Sequence, residues 1–130
     1  MNTVHNPSTV AKPASSYSQA VEVPANARWL HISGQIGVAP DGIPRDGIEA
    51  QADQCWANIR SILAAAGMGV GDLVKVTTYL TNKGHVGAAR TARDKALDGN
   101  RPASTLVVVA ALASPAWLIE IEAVAAKAMK

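Results

Sequence analysis

Apolar and polar positions along this chain change period several times, and each change marks an element. Residues 17–23, "YSQAVEV", alternate weakly and predict a first strand. Residues 28–38, "RWLHISGQIGV", predict a second, interrupted by Gly34 and Gly37. A glycine inside a strand marks a bulge or a place where another group approaches the backbone. "APDGIP", 39–44, is a turn signalled by Asp41-Gly42. Ile48, Ala52, Cys55, Ile59, Ile62, Leu63 and Ala66 then recur at helical spacing, and Gly67 closes that helix. "LVKVTTYL", 73–80, is β-branched and reads as a strand. A second helix, about 84–97, has a thin apolar face of Val86, Ala89, Ala92 and Ala96, flanked by Arg90 and Arg93. "STLVVVA", 104–110, and "LIEIEAVAA", 118–126, are the last strands, separated by a turn at "ASPA". Residues 1–16 are rich in Ser, Pro, Thr and Asn, lack periodicity and read as an extended N-terminal arm ahead of a single domain, 17–130.

The order β-β-α-β-α-β-β predicts an α+β layer fold. Two hairpin-like strand pairs would enclose the helical crossovers, giving a mixed sheet with both helices on one face. Strand 105–110 is apolar at nearly every position, so both its faces call for cover. Helices supply one cover. Copies of the same chain are the economical source of the other.

Composition strengthens that expectation. The chain has 130 residues, 48% hydrophobic and only 4% aromatic, with no Phe. Its core must be built from Ala, Val, Leu and Ile, which bury little area each, so an oligomer adds what the monomer lacks. The net charge of +2 and the few aromatics argue against a nucleic-acid partner. The densest basic stretch, Arg90, Arg93, Lys95 and Arg101, is interrupted by Asp94 and Asp98 and reads first as a solvated helix face and otherwise as an anion site. Cys55 is the single cysteine, and its place on the helix stripe makes it a buried structural residue rather than a nucleophile. The absence of a secretory h-region and of a long apolar run predicts a cytoplasmic protein without a membrane span.

Candidate chemistry is sparse. In "LIEIEAVA" the isoleucines point one way and Glu120 and Glu122 the other, onto the helix-free face. They are either rim carboxylates paired with Lys or Arg, or one of them orients a water or a substrate. His5, His31 and His85 lack metal-ligand spacing, and neither a metal nor a cofactor is expected. "GMGVG", 67–71, precedes a strand and is a turn rather than a phosphate cradle. Ser104 and Thr105 are the odd residues: two hydroxyls at the entrance of an otherwise apolar strand.

"YSQAV" (17–21), "SGQIG" (33–37), "AAGMGVGDLVKVTTYL" (65–80), "RPAST" (101–105) and "EIEAVA" (120–125) together resemble the RidA (YjgF-like) reactive-intermediate deaminase family, also known as L-PSP endoribonucleases. The resemblance runs in order from residue 17 to residue 126. It implies a chorismate-mutase-like domain assembled as a homotrimer, with a central barrel of sheets, helices outside and small-molecule clefts between subunits. It also implies hydrolysis of imines or enamines, such as 2-aminoacrylate, to a ketoacid and ammonia, without metal or cofactor. Carried over by position, Tyr17 matches a tyrosine near the cleft. Ser33 and Gly34 match backbone that approaches the ligand, and Glu120 matches a glutamate that orients water. A helix position that is often asparagine falls on Arg90.

One position departs from the pattern. In the deaminating subgroup the residue after "PA" is an arginine that clamps the substrate carboxylate; here it is Ser104. A bidentate Arg–carboxylate contact contributes about 1.5–3 kcal/mol, which a neutral hydroxyl does not replace. Three readings stay open. Arg90 or Arg101 supplies the charge from another direction; the substrate lacks the carboxylate and uses Ser104 and Thr105 as hydrogen-bond partners; or the protein binds a metabolite without turning it over. An endoribonuclease is the remaining alternative.

Overall fold

The computed structural model describes residues 1–129; Lys130, the last residue of the expected domain, lies outside them. Eight main elements follow one another: β1 (Thr3–His5), β2 (Ala20–Glu22), β3 (Ala27–Ile36), α1 (Gly47–Ala65), β4 (Leu73–Leu80), α2 (Val86–Leu97), β5 (Ala103–Val108) and β6 (Ile119–Ala128). β3 to β6 form one mixed sheet in the order β3-β6-β4-β5. β6 runs antiparallel to both its neighbours, and β4 pairs parallel with β5 through the crossover helix α2.

The mixed sheet and its two helices are as expected, but the two hairpin-like pairs are not formed. β2 does not join the main sheet; it pairs with β1, inside the N-terminal arm. β5 and β6 are separated by β4. The reason lies in β6. Ile119, Ile121, Ala123 and Ala125 are all buried on its inner side, so it takes a central position with a neighbour on each edge. The apolar β5 lies at the sheet edge instead, and Val107 and Val108 are 40% and 46% exposed.

Both helices cover one face. α1 buries Ile48, Ala52, Cys55, Ile59 and Leu63, and α2 buries Ala89, Ala92, Ala96 and Leu97, against Val76 and Leu80 of β4 and the inner row of β6. α1 also buries Gln51 and Trp56. The Gln51 amide donates to Arg45 O and Ala116 O (both 3.0 Å) and accepts from Leu118 N (2.9 Å). It thereby ties the segment leading into β6 to the helix. The opposite face of the sheet is open. It carries Lys75, Thr77 and Tyr79 from β4, Glu120, Glu122 and Val124 from β6, Thr105 and Val107 from β5, and Trp29 stacked on His31 from β3. No helix among the described residues is long and apolar enough to cross a membrane.

Candidate functional site

The residues singled out in the sequence fall into two groups, on opposite sides of the sheet. The first is built where the arm meets β5. Ser18 is buried, donates its hydroxyl to Arg101 O, and donates its backbone N–H to Pro102 O at 3.1 Å. It bridges Ala103 as a parallel strand residue. That anchor sets Tyr17 over the start of β5, with the Ala14 N–H donating to the Tyr17 hydroxyl at 3.3 Å. Tyr17, Arg90 and Ser104 line one cavity of about 160 Å3, with Ser15, Arg93 and Leu106 completing it. Three residues picked from distant segments therefore meet. Arg101, weighed as an alternative source of charge, is exposed and does not line this cavity.

The second group lies on the open face. β3 shifts register between Ile32 and Gln35, and Ser33 and Gly34 occupy that bulge. The Glu120 carboxylate lies directly on Gly34: a Cβ built there would stand 1.9 Å from Glu120 Oε2. Only glycine admits so close an approach without displacing the carboxylate. Ser33 lines a neighbouring hollow of about 390 Å3 with His31, Lys75, Thr77 and Glu122. Neither Glu120 nor Glu122 is paired with a lysine or arginine among the described residues. Glu122 instead accepts the Tyr79 hydroxyl at 2.5 Å. That hydrogen bond first, then desolvation and the charges of Glu122 and Glu120, holds the Tyr79 phenol above its ordinary pKa.

Ser104 and Thr105, read together at the strand entrance, are separated by the pleat. Ser104 faces the cavity with Tyr17, whereas Thr105 accepts a hydrogen bond from Lys75 Nζ at 2.6 Å on the open face. Cys55 is buried and donates to Gln35 O (3.3 Å); burial first, and the Glu120 charge second, push its thiol up to about 12. It is no nucleophile at neutral pH. Among the described residues no three His, Cys, Asp or Glu side chains converge as a metal-holding group.

Sequence reasoning missed the burial of Arg93, which it placed first on a solvated face. Arg93 is 4% exposed, with Nε and Nη2 on Asp94 Oδ1 (3.0 Å each) and Nη2 also on the Ser15 hydroxyl (3.3 Å). The signal was available: Ala89, Ala92, Arg93 and Ala96 occupy the i, i+3, i+4, i+7 stripe that faces a core.

The chain is an α+β protein whose helix-backed mixed sheet has a polar cavity beneath an N-terminal arm and an open face bearing a carboxylate on a glycine bulge. Comparison with known proteins narrows it. The family model described as Endoribonuclease L-PSP matches residues 8–127, and the chain belongs to this RidA/YjgF-like family. A RutC family protein of Pyrococcus horikoshii is 36% identical over 118 residues, covering 89% of this chain and 90% of that one. The 2-iminobutanoate/2-iminopropanoate deaminase of Rattus norvegicus is 37% identical over 122 residues, covering 91% and 86%. The crystal structure of YyfB from Yersinia pestis, a protein of unknown function of the conserved Rid family, superposes with a TM-score of 0.86. It shares 35% identity, covering 95% of this chain and 97% of that one.

Proposed function

We propose that this protein is a metal-independent hydrolase of small imines or enamines, working as a homotrimer with its active sites between subunits. The observation that carries the reading is Glu120: a carboxylate without a cationic partner among the described residues, seated on the Gly34 bulge. A protonated C=N carbon is already electrophilic, so the protein needs to hold it, place one water and move a proton. Glu120 orients that water and accepts its proton, a contribution of about 10²–10⁴-fold. Ser33 and the Gly34 backbone line the approach, while Tyr17, Arg90 and Ser104 hold the substrate from the other side.

The two groups project from opposite faces of one sheet, so a single chain does not bring them to one ligand. Assembly supports a remedy. Among the described residues no strand of the main sheet lies beyond β3 or β5, where only Ser18 bridges Ala103, and the open face carries Trp29 (53% exposed) and Val107. Three copies joined through their open faces would close a barrel and set the Glu120 side of one copy against the Tyr17 side of the next. Thr105, bound to Lys75, then lies near that interface rather than in the cleft. The related rat protein, a 2-iminobutanoate/2-iminopropanoate deaminase, supports the reaction class. Ser104, where the deaminating subgroup carries its clamp, is the point at which this chain departs.

The test is ammonia release from 2-iminobutanoate generated in situ by an amino-acid oxidase, measured over the spontaneous rate. Wild type should accelerate it and Glu120→Gln should lose about 10²-fold or more. Equal rates for the two proteins would refute the role of Glu120. Saturable binding of the ketoacid product with no acceleration by wild type would make the protein a metabolite-binding module.

A further inference from the structure

We propose that the groove at the seam of α1 and α2, on the helix side of the sheet, is a second small-molecule site that takes a free α-amino acid as its zwitterion. The inference does not depend on the proposed reaction. It starts from Trp56, which lines a groove of about 370 Å3 there with Asp53 and Arg60 of α1 and Ala92, Lys95 and Ala96 of α2. Trp56 is 3% exposed, and its indole N–H is buried and meets no acceptor among the described residues. A buried indole N–H ordinarily finds a partner, and one left without it costs stability. Filling the apolar stripe of α1 does not call for that donor, since leucine or phenylalanine would serve there without it.

The charges around this donor are of both signs and are not spent on one another. Asp53, Trp56 and Arg60 stand at i, i+3 and i+7 on α1 and so share one face over two turns, about 10 Å at 1.5 Å per residue. Lys95 faces them from α2. Asp53 and Lys95 both line this groove and the hollow adjoining it, yet they form no ion pair among the described residues. Arg60 Nη2 donates to Ala96 O at 2.7 Å, which fixes its guanidinium against α2 and leaves its other donors without a protein acceptor among the described residues. A simple anion would find Asp53 opposing it, and a simple cation would find Lys95 and Arg60. A molecule carrying both charges suits the whole groove: its carboxylate accepts from the Trp56 indole and from Lys95 or Arg60, and its ammonium donates to Asp53. About 370 Å3 holds roughly twelve water molecules' share of liquid volume, at ~30 Å3 each, which admits an amino acid whose apolar side chain lies on the alanines. Glu120 is on the other face of the sheet, and the proposed assembly, joined through the open faces, leaves the helices outward.

The test is titration calorimetry of the full chain with L-leucine, with L-leucinamide, which lacks the negative charge, and with N-acetyl-L-leucine, which lacks the positive one. Wild type should bind leucine about 10- to 100-fold more tightly than the amide, the range of a charge-assisted hydrogen bond. It should bind leucine about two- to fivefold more tightly than the acetylated acid, the range of an exposed ion pair. Trp56→Phe keeps a ring in the core and removes the N–H, and it should weaken leucine binding about 10-fold or more. Asp53→Asn should erase the preference over the acetylated acid, and Glu120→Gln should leave leucine binding unchanged. A Trp56 that only fills the core would lower the melting temperature of Trp56→Phe and leave every ligand preference in place. The proposal is overturned by a wild type that does not bind leucine or binds all three compounds alike, by leucine binding that survives Trp56→Phe undiminished, or by binding lost in Glu120→Gln, which would put the amino acid on the open face. Should Trp56→Phe fail to fold, wild-type crystals soaked in L-leucine decide. A carboxylate oxygen about 2.7–3.2 Å from Trp56 Nε1 upholds the assignment, and leucine bound elsewhere or not at all ends it.

Discussion

Replacing Gly34 by alanine adds one methyl group, and the structure says what that methyl meets. Its nearest neighbours would be Glu120 Oε2 at 1.9 Å, Cδ at 2.8 Å and Cγ at 3.0 Å. Real Cβ atoms essentially never sit closer than 3.0 Å to such a neighbour, so the carboxylate oxygen must retreat by 3.0 − 1.9 Å, about 1 Å. It is the far end of a flexible side chain, so the retreat costs no more than an off-rotamer χ, about 0.5–1.5 kcal/mol. A 1 Å displacement of a positioning group, by contrast, lowers the rate about 10²-fold. Gly34→Ala should therefore retain its fold while losing most of the proposed acceleration of ammonia release from 2-iminobutanoate.

Gly37→Ala is the matched control. Its Cβ would lie 2.4 Å from Gln51 Cβ and 2.6 Å from Gln51 Cα, so the α1 backbone itself must move. That is overpacking, about 1–3 kcal/mol or more, and it should appear as a lowered melting temperature. The reasoning fails if Gly34→Ala keeps kcat/KM within about threefold of wild type on a substrate for which Glu120→Gln is inactive, a margin far inside the 10²-fold expected. It fails equally if Gly34→Ala melts as far below wild type as Gly37→Ala does.

Three further outcomes follow from the same geometry. At pH 8 a thiol with a pKa of about 12 is ionised to about 10⁻⁴, against about 10⁻¹ for one at 9.0, so native Cys55 should label with a disulfide reagent at least about 10³-fold more slowly than in denaturant; fast native labelling would show the helix stripe open. Because that pKa is raised on folding, its stabilising contribution is complete below pH 9.0 and is lost as pH climbs toward about 12, which denaturant titrations across that window should register. Val107→Glu places a charge on the open face beside Tyr79 and two strands from Glu120. Light scattering should report a folded single chain in place of the proposed trimer, and an unchanged mass would remove the open face from the interface. Gln51→Leu deprives Arg45 O, Ala116 O and Leu118 N of their partner. Denaturant unfolding should register a loss of about 2–4 kcal/mol, and a loss below about 1 kcal/mol would mean that water replaces the amide.

The parts of this molecule legible in its sequence are those whose signal is local. β4 is read at its observed bounds because alternation with β-branched residues needs no partner to be recognised. α1 is read to within a residue because its apolar stripe and Gly67, which takes a positive φ of +70°, are both contained in one segment. Strand order was not legible. Which strand inserts between β3 and β4 depends on pairings between residues nearly a hundred positions apart, and the "ASPA" turn invited a β5–β6 hairpin that the central burial of β6 forbids. The arm misled for a similar reason: its polar composition hid Thr3–His5, which becomes a strand only because Ala20–Glu22 lies beside it.

The candidate site divides along the same line. Gly34, Ser104 and Glu120 stood out from the residue pattern, and Tyr17, Ser33 and Arg90 were added as site residues by resemblance to a family, whereas periodicity alone would have supplied two polar residues that both passed over. Gln51 precedes Ala52, Cys55 and Trp56 on the buried stripe of α1, and Arg93 stands at the i+4 place in the stripe of α2. A polar side chain in a register reserved for the core must find partners inside the fold, since leaving it unpaired costs more than any surface position would. Gln51 spends its whole amide on three backbone groups, so its role is complete within the chain. Arg93 finds Asp94 and the Ser15 hydroxyl, and it lines the cavity beneath the arm. Both residues hold together segments that the chain keeps far apart: Gln51 ties α1 to the entrance of β6, and Arg93 ties α2 to the arm through Ser15.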